Sequence, residues 1–276
     1  MTQRSVFITG GGSGLGAAAA RRLHGLGWRV ALAGRDRERL DALARELKGA
    51  EVFALDVGDA QAMEAAIRAF RPDALVCCAA ILGRGQVWDE LTPERFAEVM
   101  RINVGGTFNA CRAAMRLWRE TAVQGDIVNI SSLGGIRGMQ RFAGFGAYAT
   151  SKHAIVGLTE ALALEGKPHG IRVNAVAPGT MRTAMTEELG LTPATLPESI
   201  APTIEFLLDR ERSGPVARQI GIDIDPAQRQ GVGRIEQVLD RQRNAHRLAL
   251  PGGAQIDERL GPGLRLKAQG IDPVLF

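Results

Sequence analysis

The fold is decided near the start of the chain by residues 5–16, which read Ser5-Val6-Phe7-Ile8-Thr9-Gly10-Gly11-Gly12-Ser13-Gly14-Leu15-Gly16. The first four residues predict a short buried strand, and the alanine-rich stretch from Leu15 to Leu26 predicts a helix. A glycine-rich turn between a strand and a helix brings backbone N–H groups and the positive helix end to one point, which suits a bound phosphate. Such a stretch is often only a turn, but in this context it predicts nucleotide binding. The candidate contacts are Gly10, Gly12, Ser13, Gly14, Leu15 and Gly16.

Further along the chain, short apolar runs alternate with helical patterns. Strands are predicted at residues 29–33, 52–55, 74–78, 126–130, 172–176 and 219–222. Near-continuous apolar strands joined by helices are typical of a parallel sheet that is buried on both faces. Right-handed crossovers then give an α/β fold with a doubly wound parallel sheet of the Rossmann type, in three α/β/α layers.

The composition changes after about Asp225, where glycine and proline punctuate the chain. We expect one Rossmann domain over residues 1–225, followed by a C-terminal arm over residues 226–276. Two interpretations of the arm stay open: a disordered tail, or an ordered extension at an oligomer interface.

Composition excludes several classes of protein. The 276 residues are 45% hydrophobic and 23% charged, which is ordinary for a globular protein. No run approaches the length of a membrane span and no apolar signal segment is present, so we expect a cytoplasmic protein without membrane attachment. Three cysteines do not form a disulfide framework, and four histidines lack metal-ligand spacing, so no metal is expected. The net charge of +4 is too scattered to indicate nucleic-acid binding.

The end of the second strand indicates which dinucleotide is bound. An NAD site usually has an acidic residue there to accept a hydrogen bond from the ribose 2′-hydroxyl, but Gly34 occupies that position. Arg35 follows and could pair with a 2′-phosphate, although it could also be a solvated residue before a charged helix. Asp36 is interpreted as the N-cap of that helix. The pattern favours NADP(H), with NAD(H) as the alternative. Asp56, followed by Val57, could hold the adenine edge or simply form a turn.

The only tyrosine of the chain, Tyr148, precedes Lys152 by four residues, so a helix would place both side chains on one face. A free phenol has a pKa of about 10, and a nearby ammonium lowers that pKa by stabilising the phenolate. Tyr148 could then exchange a proton with a substrate oxygen. A hydroxyl at the end of the fifth strand, from Ser131 or Ser132, could bond the same oxygen or merely satisfy the loop backbone. We favour Ser132.

With these residues in place, the chain resembles the short-chain dehydrogenase/reductase family, in its single-domain branch. The resemblance covers about residues 5–225. It is carried by the glycine loop, Asp56-Val57, Asn103 within Ile102-Asn103-Val104-Gly105, Asn129 to Ser132, Tyr148 with Lys152, and Pro178 to Thr183.

The resemblance implies a role for each matching residue. Tyr148 would be the acid/base, Ser132 would orient the carbonyl, and Lys152 would also bind the nicotinamide ribose. Asn103 would support a water relay to Lys152. Further cofactor contacts would be Ala79, Pro178, Gly179 and Thr183. The family resemblance also implies a homodimer or homotetramer.

Two departures from the family pattern stand out. Cys77-Cys78-Ala79-Ala80 replaces the usual Asn-Asn-Ala-Gly, so either a compensating contact exists at the sheet centre or the site is looser. Cys78 could be redox-active near the cofactor, or a buried and inert thiol, which we favour. The fifteen residues between Ser132 and Tyr148 form a longer segment than usual. Apolar residues in the loop from Gly179 to Pro197 predict a partly apolar substrate under a lid, or ordinary lid packing.

The sequence therefore predicts an oxidoreductase that transfers a hydride between NADP(H) and a ketone or secondary alcohol. One alternative is an NAD(H)-dependent secondary-alcohol dehydrogenase of the same fold. Another is a dinucleotide sensor without catalytic activity.

Overall fold

Strands and helices alternate along the described chain. This computed structural model describes residues 3–138, 143–213 and 219–222. The strands are β1 (Ser5–Thr9), β2 (Arg29–Gly34), β3 (Glu51–Ala54), β4 (Ala74–Cys77), β5 (Asp126–Ile130), β6 (Arg172–Pro178) and β7 (Gln219–Ile222). The helices are α1 (Gly14–Gly25), α2 (Arg37–Glu46), α3 (Ala60–Phe70), α4 (Pro93–Val99), α5 (Gly106–Thr121), α6 (Gly146–Gly166), α7 (Ala184–Glu187), α8 (Pro197–Leu208) and α9 (Arg210–Ser213). The predicted arm, residues 226–276, lies outside the described residues.

The strands form one parallel sheet in the order β3-β2-β1-β4-β5-β6-β7. This order confirms the predicted doubly wound fold. The chain leaves β1 toward one edge, through β2 and β3, and then returns to build the other edge from β4 onward. Ligands bind at the point where the order reverses, outside the carboxyl ends of the strands, and here that point lies between β1 and β4.

Helices cover both faces of the sheet and give the predicted three layers. One apolar core packs residues of α1, α2 and α8 against the sheet, and the other packs residues of α3 and α5. The strands β1, β4, β5 and β6 are buried along their whole length, which explains why most of their residues are apolar. No helix within the described ranges is long and apolar enough to span a membrane.

The helical residues between 93 and 121 form one continuous structure. A π-helical turn, Met100–Gly105, joins α4 to α5 without a break. Such a turn widens the helix locally, and π-turns are frequent at functional sites. This turn carries Asn103.

The opposite end of the sheet is held by a buried carboxylate. Asp126, at the start of β5, is fully buried and pairs with three arginines. The shortest contact is from Arg172 Nε, at 2.7 Å, and Arg172 is itself buried. The other two partners are Arg4 and Arg210, whose side chains are partly exposed. This cluster ties β5 and β6 to the N-terminal segment and to α9, away from the cleft described below.

Candidate active site

A cleft of about 700 Å³ crosses the carboxyl ends of the central strands. All the residues that the sequence predicted for the cofactor border this cleft, and so does Ser132. Asn103 does not border the cleft, and its side chain is buried. The cleft therefore collects residues that are far apart in sequence, from the glycine loop to Thr183.

The glycine loop between β1 and α1 is shaped by close backbone approaches. A Cβ on Gly16 would overlap the carbonyl oxygen of Gly10, and a Cβ on Gly10 would lie 2.8 Å from the backbone nitrogen of Ala79. Within the described structure, the hydroxyl of Ser13 at the N-cap of α1 caps no backbone N–H, and the first turn carries no acidic side chain. Unused donors and a positive helix end in a tight loop fit the pyrophosphate of a dinucleotide.

Three charged residues, Arg35, Asp36 and Arg39, border the cleft just after β2 ends. Arg35 is exposed and makes no hydrogen bond or ion pair with another residue in the described part of the chain. Asp36 is confirmed as the N-cap of α2, since it accepts a hydrogen bond from the backbone N–H of Arg39 at 3.1 Å. Its second carboxylate oxygen lies 3.0 Å from Arg39 Nε. Arg39 borders the cleft, and sequence reasoning missed it. Arg39 follows the N-cap Asp36 by three residues, and this spacing could have indicated that the two side chains pair.

Asp56 borders the cleft at the end of β3 and is also paired. Its carboxylate accepts from Arg101 Nη2 at 2.9 Å and from the backbone N–H of Gly58 at 2.8 Å. The hydrogen bond from Arg101 holds the pKa of this carboxyl below its usual range. Arg101 comes from the π-helical turn, 45 residues away in the sequence, so no local pattern could have predicted the pair.

Tyr148 and Lys152 lie in the first two turns of α6 and both border the cleft. The Lys152 ammonium is buried, donates to the carbonyl oxygen of Ile130 at 2.8 Å, and lies 5.5 Å from the centre of the phenol ring. Burial lowers the pKa of Lys152 to about 8.

The predicted lowering of the phenol pKa is not what this site shows. Burial raises the pKa of Tyr148, and a hydrogen bond with Ser132 acts in the opposite direction. The spacing in the sequence indicated a nearby ammonium, which would lower the pKa of the phenol, but it did not show that burial desolvates the phenol and raises that pKa. Tyr148 is therefore protonated at neutral pH.

The two serines at the end of β5 have different partners. The Ser131 hydroxyl is buried and donates to the backbone carbonyl of Lys152 at 2.8 Å, which ties β5 to α6. Ser132 accepts from the backbone N–H of Gly134 at 3.1 Å and hydrogen-bonds the phenol of Tyr148. Ser132 is therefore the serine that faces Tyr148, whereas Ser131 supports the backbone.

Asn103 connects the end of β4 to the helix that carries Tyr148. Its Oδ1 accepts from the backbone N–H of Ile81 at 2.8 Å. Its Nδ2 donates to the Ile81 carbonyl and to the Ser151 hydroxyl, each at 2.9 Å. These bonds hold the chain just after Cys77-Cys78-Ala79-Ala80. The contact that would compensate for the missing asparagines at the sheet centre stays a prediction.

The thiols near the cleft are held in their protonated form. Cys77 and Cys111 are buried, and a hydrogen bond between them, with burial, keeps the pKa of Cys77 well above its ordinary value. Cys78 borders the cleft, and burial raises its pKa to about 12. A protonated thiol is a poor nucleophile, which supports the interpretation of inert residues.

The loop after β6 covers part of the cleft. Thr183 is the N-cap of α7 and forms a reciprocal capping pair with Thr186. The Thr183 methyl would lie 3.3 Å from a Cβ on Gly14, so the start of α7 lies over the glycine loop. Met181 and Met185 border the cleft and give this wall an apolar surface. Within the described ranges, no group of three histidine, cysteine or acidic side chains is placed to hold a metal.

The comparison with protein families decides the identity. The family model for short chain dehydrogenases matches residues 4–194, a range that includes the glycine loop, Asn103, Tyr148 and Lys152. The chain belongs to the short chain dehydrogenase family. As a short chain dehydrogenase it is an oxidoreductase, and the cofactor class of the family is NAD(P)(H).

Relatives of this short chain dehydrogenase include named reductases. It is 38% identical over 197 residues to levodione reductase of Leifsonia aquatica, covering 67% of this chain and 72% of the relative. It is 34% identical over 179 residues to carbonyl reductase [NADPH] 2 of Sus scrofa, covering 65% and 72%. The crystal structure of levodione reductase superimposes with a TM-score of 0.73 at 33% identity, over 81% of this chain and 97% of that one.

Proposed function

We propose that this short chain dehydrogenase interconverts a ketone and a secondary alcohol with NADP(H), and that Tyr148 is its general acid/base. The observation that carries the proposal is the shared wall formed by Ser132, Tyr148 and Lys152. This wall borders the same cleft as the glycine loop, so a dinucleotide held by the loop would reach the phenol.

The side chains on this wall can handle the proton of the reaction. Bound NADPH supplies the hydride. Tyr148 gives the proton of its hydroxyl to the carbonyl oxygen in reduction and takes it back in oxidation. Ser132 donates a second hydrogen bond to that oxygen, which positions it and stabilises developing negative charge. The raised pKa of Tyr148 keeps the proton in place at neutral pH, which suits the reductive direction.

The remaining residues would hold the cofactor. Lys152 would bond the nicotinamide ribose and keep its positive charge beside the phenol, while Asn103 would fix the backbone on which both depend. The glycine loop would hold the pyrophosphate, and Asp56 with Val57 the adenine. Nicotinamide contacts would come from Ala79, Pro178, Gly179 and Thr183.

The preference for NADP(H) rests on the charges at the end of β2. The two carboxylates there, Asp36 and Asp56, already pair with Arg39 and Arg101. Arg35 remains without an ion pair among the described residues, and a guanidinium matches the geometry of a phosphate. The relative from Sus scrofa is named for NADPH. Comparing kcat/KM for NADPH and NADH tests this part, and a preference for NADH would overturn it.

The substrate side is proposed to be partly apolar, because Met181 and Met185 border the cleft. The family resemblance also supports a homodimer or homotetramer, and Leu164 on α6 is largely exposed in the single chain. Light scattering after size-exclusion chromatography tests the oligomeric state. A cytoplasmic location stays a prediction.

The decisive experiment replaces the phenol. Tyr148→Phe should abolish most ketone reduction while leaving the fold and the affinity for NADPH unchanged, because no other tyrosine exists. Thr150→Ala, on the exposed face of the same helix, is the matched control and should keep full activity. If Tyr148→Phe stays active, the proposed mechanism is wrong. If the wild type binds NADP(H) but reduces no ketone in a broad panel, the chain is a sensor instead.

A further inference from the structure

The end of the cleft beside β2 contains a carboxylate whose two oxygens are engaged by one residue. Asp36 and Arg39 both border the cleft. The backbone N–H of Arg39 donates to Asp36 Oδ1 at 3.1 Å, and Arg39 Nε lies 3.0 Å from Asp36 Oδ2. The arginine stem also lies against the glycine loop, since a Cβ on Gly12 would be 3.3 Å from Arg39 Cβ. Arg39 is therefore placed between the phosphate loop and the Asp36 carboxylate.

A free carboxylate at this place would serve a different cofactor. Dinucleotide sites that take NAD(H) place an acidic side chain at the end of the second strand, where it accepts from the ribose 2′-hydroxyl. Gly34 removes that side chain from the strand end, but Asp36 still borders the cleft two residues later. Among the residues of this segment that border the cleft, Asp36 is the one that carries a carboxylate. An acidic side chain, Asp36, is therefore present beside the site, but it is paired with Arg39.

The pairing is of a kind that one substitution can undo. The side chains of Arg39 and Asp36 are 58% and 54% exposed, and ion pairs between exposed groups are weak. Removing the Arg39 side chain would leave the backbone cap on Oδ1 and release Oδ2. The freed oxygen could then accept a hydrogen bond from a sugar hydroxyl.

We propose that Arg39 is a specificity-determining residue for the cofactor: it pairs with Asp36, so that a ribose 2′-hydroxyl must compete with the guanidinium for this carboxylate. The inference rests on the proposed function, because it requires a dinucleotide in this cleft. The guanidinium of Arg39 has five donors, of which one is used on Asp36, so the others supplement Arg35 toward a 2′-phosphate. Arg39 thus favours NADP(H) through its donors toward the 2′-phosphate, and it disfavours NAD(H) through its ion pair with Asp36.

The test measures binding constants by titration calorimetry with NADP⁺ and NAD⁺ on the full chain. Arg39→Ala should weaken NADP⁺ binding about tenfold, the low end for one hydrogen bond to a charged group. It should strengthen NAD⁺ binding about threefold, because the gain cannot exceed the strength of the exposed ion pair that is removed. Arg39→Ala with Asp36→Asn should lose the gain toward NAD⁺ but keep the loss toward NADP⁺. Asparagine caps helices as well as aspartate does, so this variant keeps the start of α2.

A matched control separates the local effect from a change in net charge. Arg37→Ala removes one positive charge from the same helix, but Arg37 pairs with Asp41 and does not itself border the cleft. It should change neither binding constant. Adenosine 2′,5′-bisphosphate and 5′-AMP, which differ only in the 2′-phosphate, should show the same shifts as the whole dinucleotides.

The outcomes distinguish this inference from the proposed function. A wild type that binds neither dinucleotide overturns both. A wild type that prefers NADP⁺, with an Arg39→Ala variant that gains nothing toward NAD⁺, overturns only the role given to Arg39. A gain that persists when Asp36→Asn is added also overturns it, because the freed carboxylate would not be its cause.

Discussion

The Asn103 side chain provides the sharpest energetic prediction. It is 1% exposed and makes three hydrogen bonds, of 2.8, 2.9 and 2.9 Å, to Ile81 and Ser151. A hydrogen bond contributes about 1 kcal/mol net to stability, and buried partners left unsatisfied cost more. Asn103→Ala should therefore lower the free energy of unfolding by about 3 kcal/mol or more.

Urea denaturation followed by circular dichroism measures this loss. Asn109→Ala is the control, since Asn109 is only half-buried and makes one hydrogen bond, from Nδ2 to the Val57 carbonyl at 3.1 Å. It should cost about 1 kcal/mol. Asn103→Asp keeps an acceptor for the Ile81 N–H but loses both donated bonds, so it should be as destabilising as the alanine variant.

The catalytic activity of the Asn103→Ala variant should also fall, because the same hydrogen bonds support residues beside the cleft. Ile81 borders the cleft and Ser151 precedes Lys152, so Asn103→Ala should lower kcat under conditions where the variant is still folded. If Asn103→Ala unfolds within about 0.5 kcal/mol of the wild type, like an ordinary surface substitution, the three bonds do not hold the end of β4.

Three other predictions follow from burial and close approach. Because Lys152 has its pKa lowered to about 8, the unfolded chain binds one more proton than the folded chain between pH 8 and 10. The wild type should therefore gain up to about 3 kcal/mol in unfolding free energy relative to Lys152→Met over that range, in urea titrations without added cofactor. A pH-independent difference would contradict the assigned pKa. Gly16→Ala should abolish NADP⁺ binding in calorimetry, because the new Cβ would overlap backbone; unchanged binding would refute the loop geometry. Asp126→Asn removes the carboxylate charge that lies 2.7 Å from the buried Arg172 Nε and should lower the unfolding free energy by about 3–5 kcal/mol, while a loss below 1 kcal/mol would show that the cluster is dispensable.

Much of the fold was predictable because its signals are local. The strands β1, β4, β5 and β6 are buried throughout, so each has an apolar run at its centre that the sequence shows directly. The glycine loop and the spacing of Tyr148 and Lys152 are likewise local patterns, and both border the observed cleft. The π-helical turn was not predictable, because its residues have ordinary helical character and only the i→i+5 bonding distinguishes it.

The electrostatics of the site were less predictable, since they depend on distant partners and on burial. The pKa of Tyr148 depends on desolvation, which no spacing in the sequence shows. The pairing of Asp56 with Arg101 joins two elements that approach only in the folded sheet. By contrast, the Asp36–Arg39 pair is local, and its significance comes from the cleft that it borders.

The π-helical turn Met100–Gly105 supports both ends of this cleft. Residues two apart in a helix point in nearly opposite directions, so Arg101 and Asn103 can reach different regions. Arg101 bonds Asp56 at the end of β3, while Asn103 bonds Ile81 after β4 and Ser151 beside Lys152. One helical turn therefore connects the proposed adenine end to the proposed catalytic end. A distortion of the turn would reach both ends together, whereas a change at Arg39 would stay confined to the end of β2.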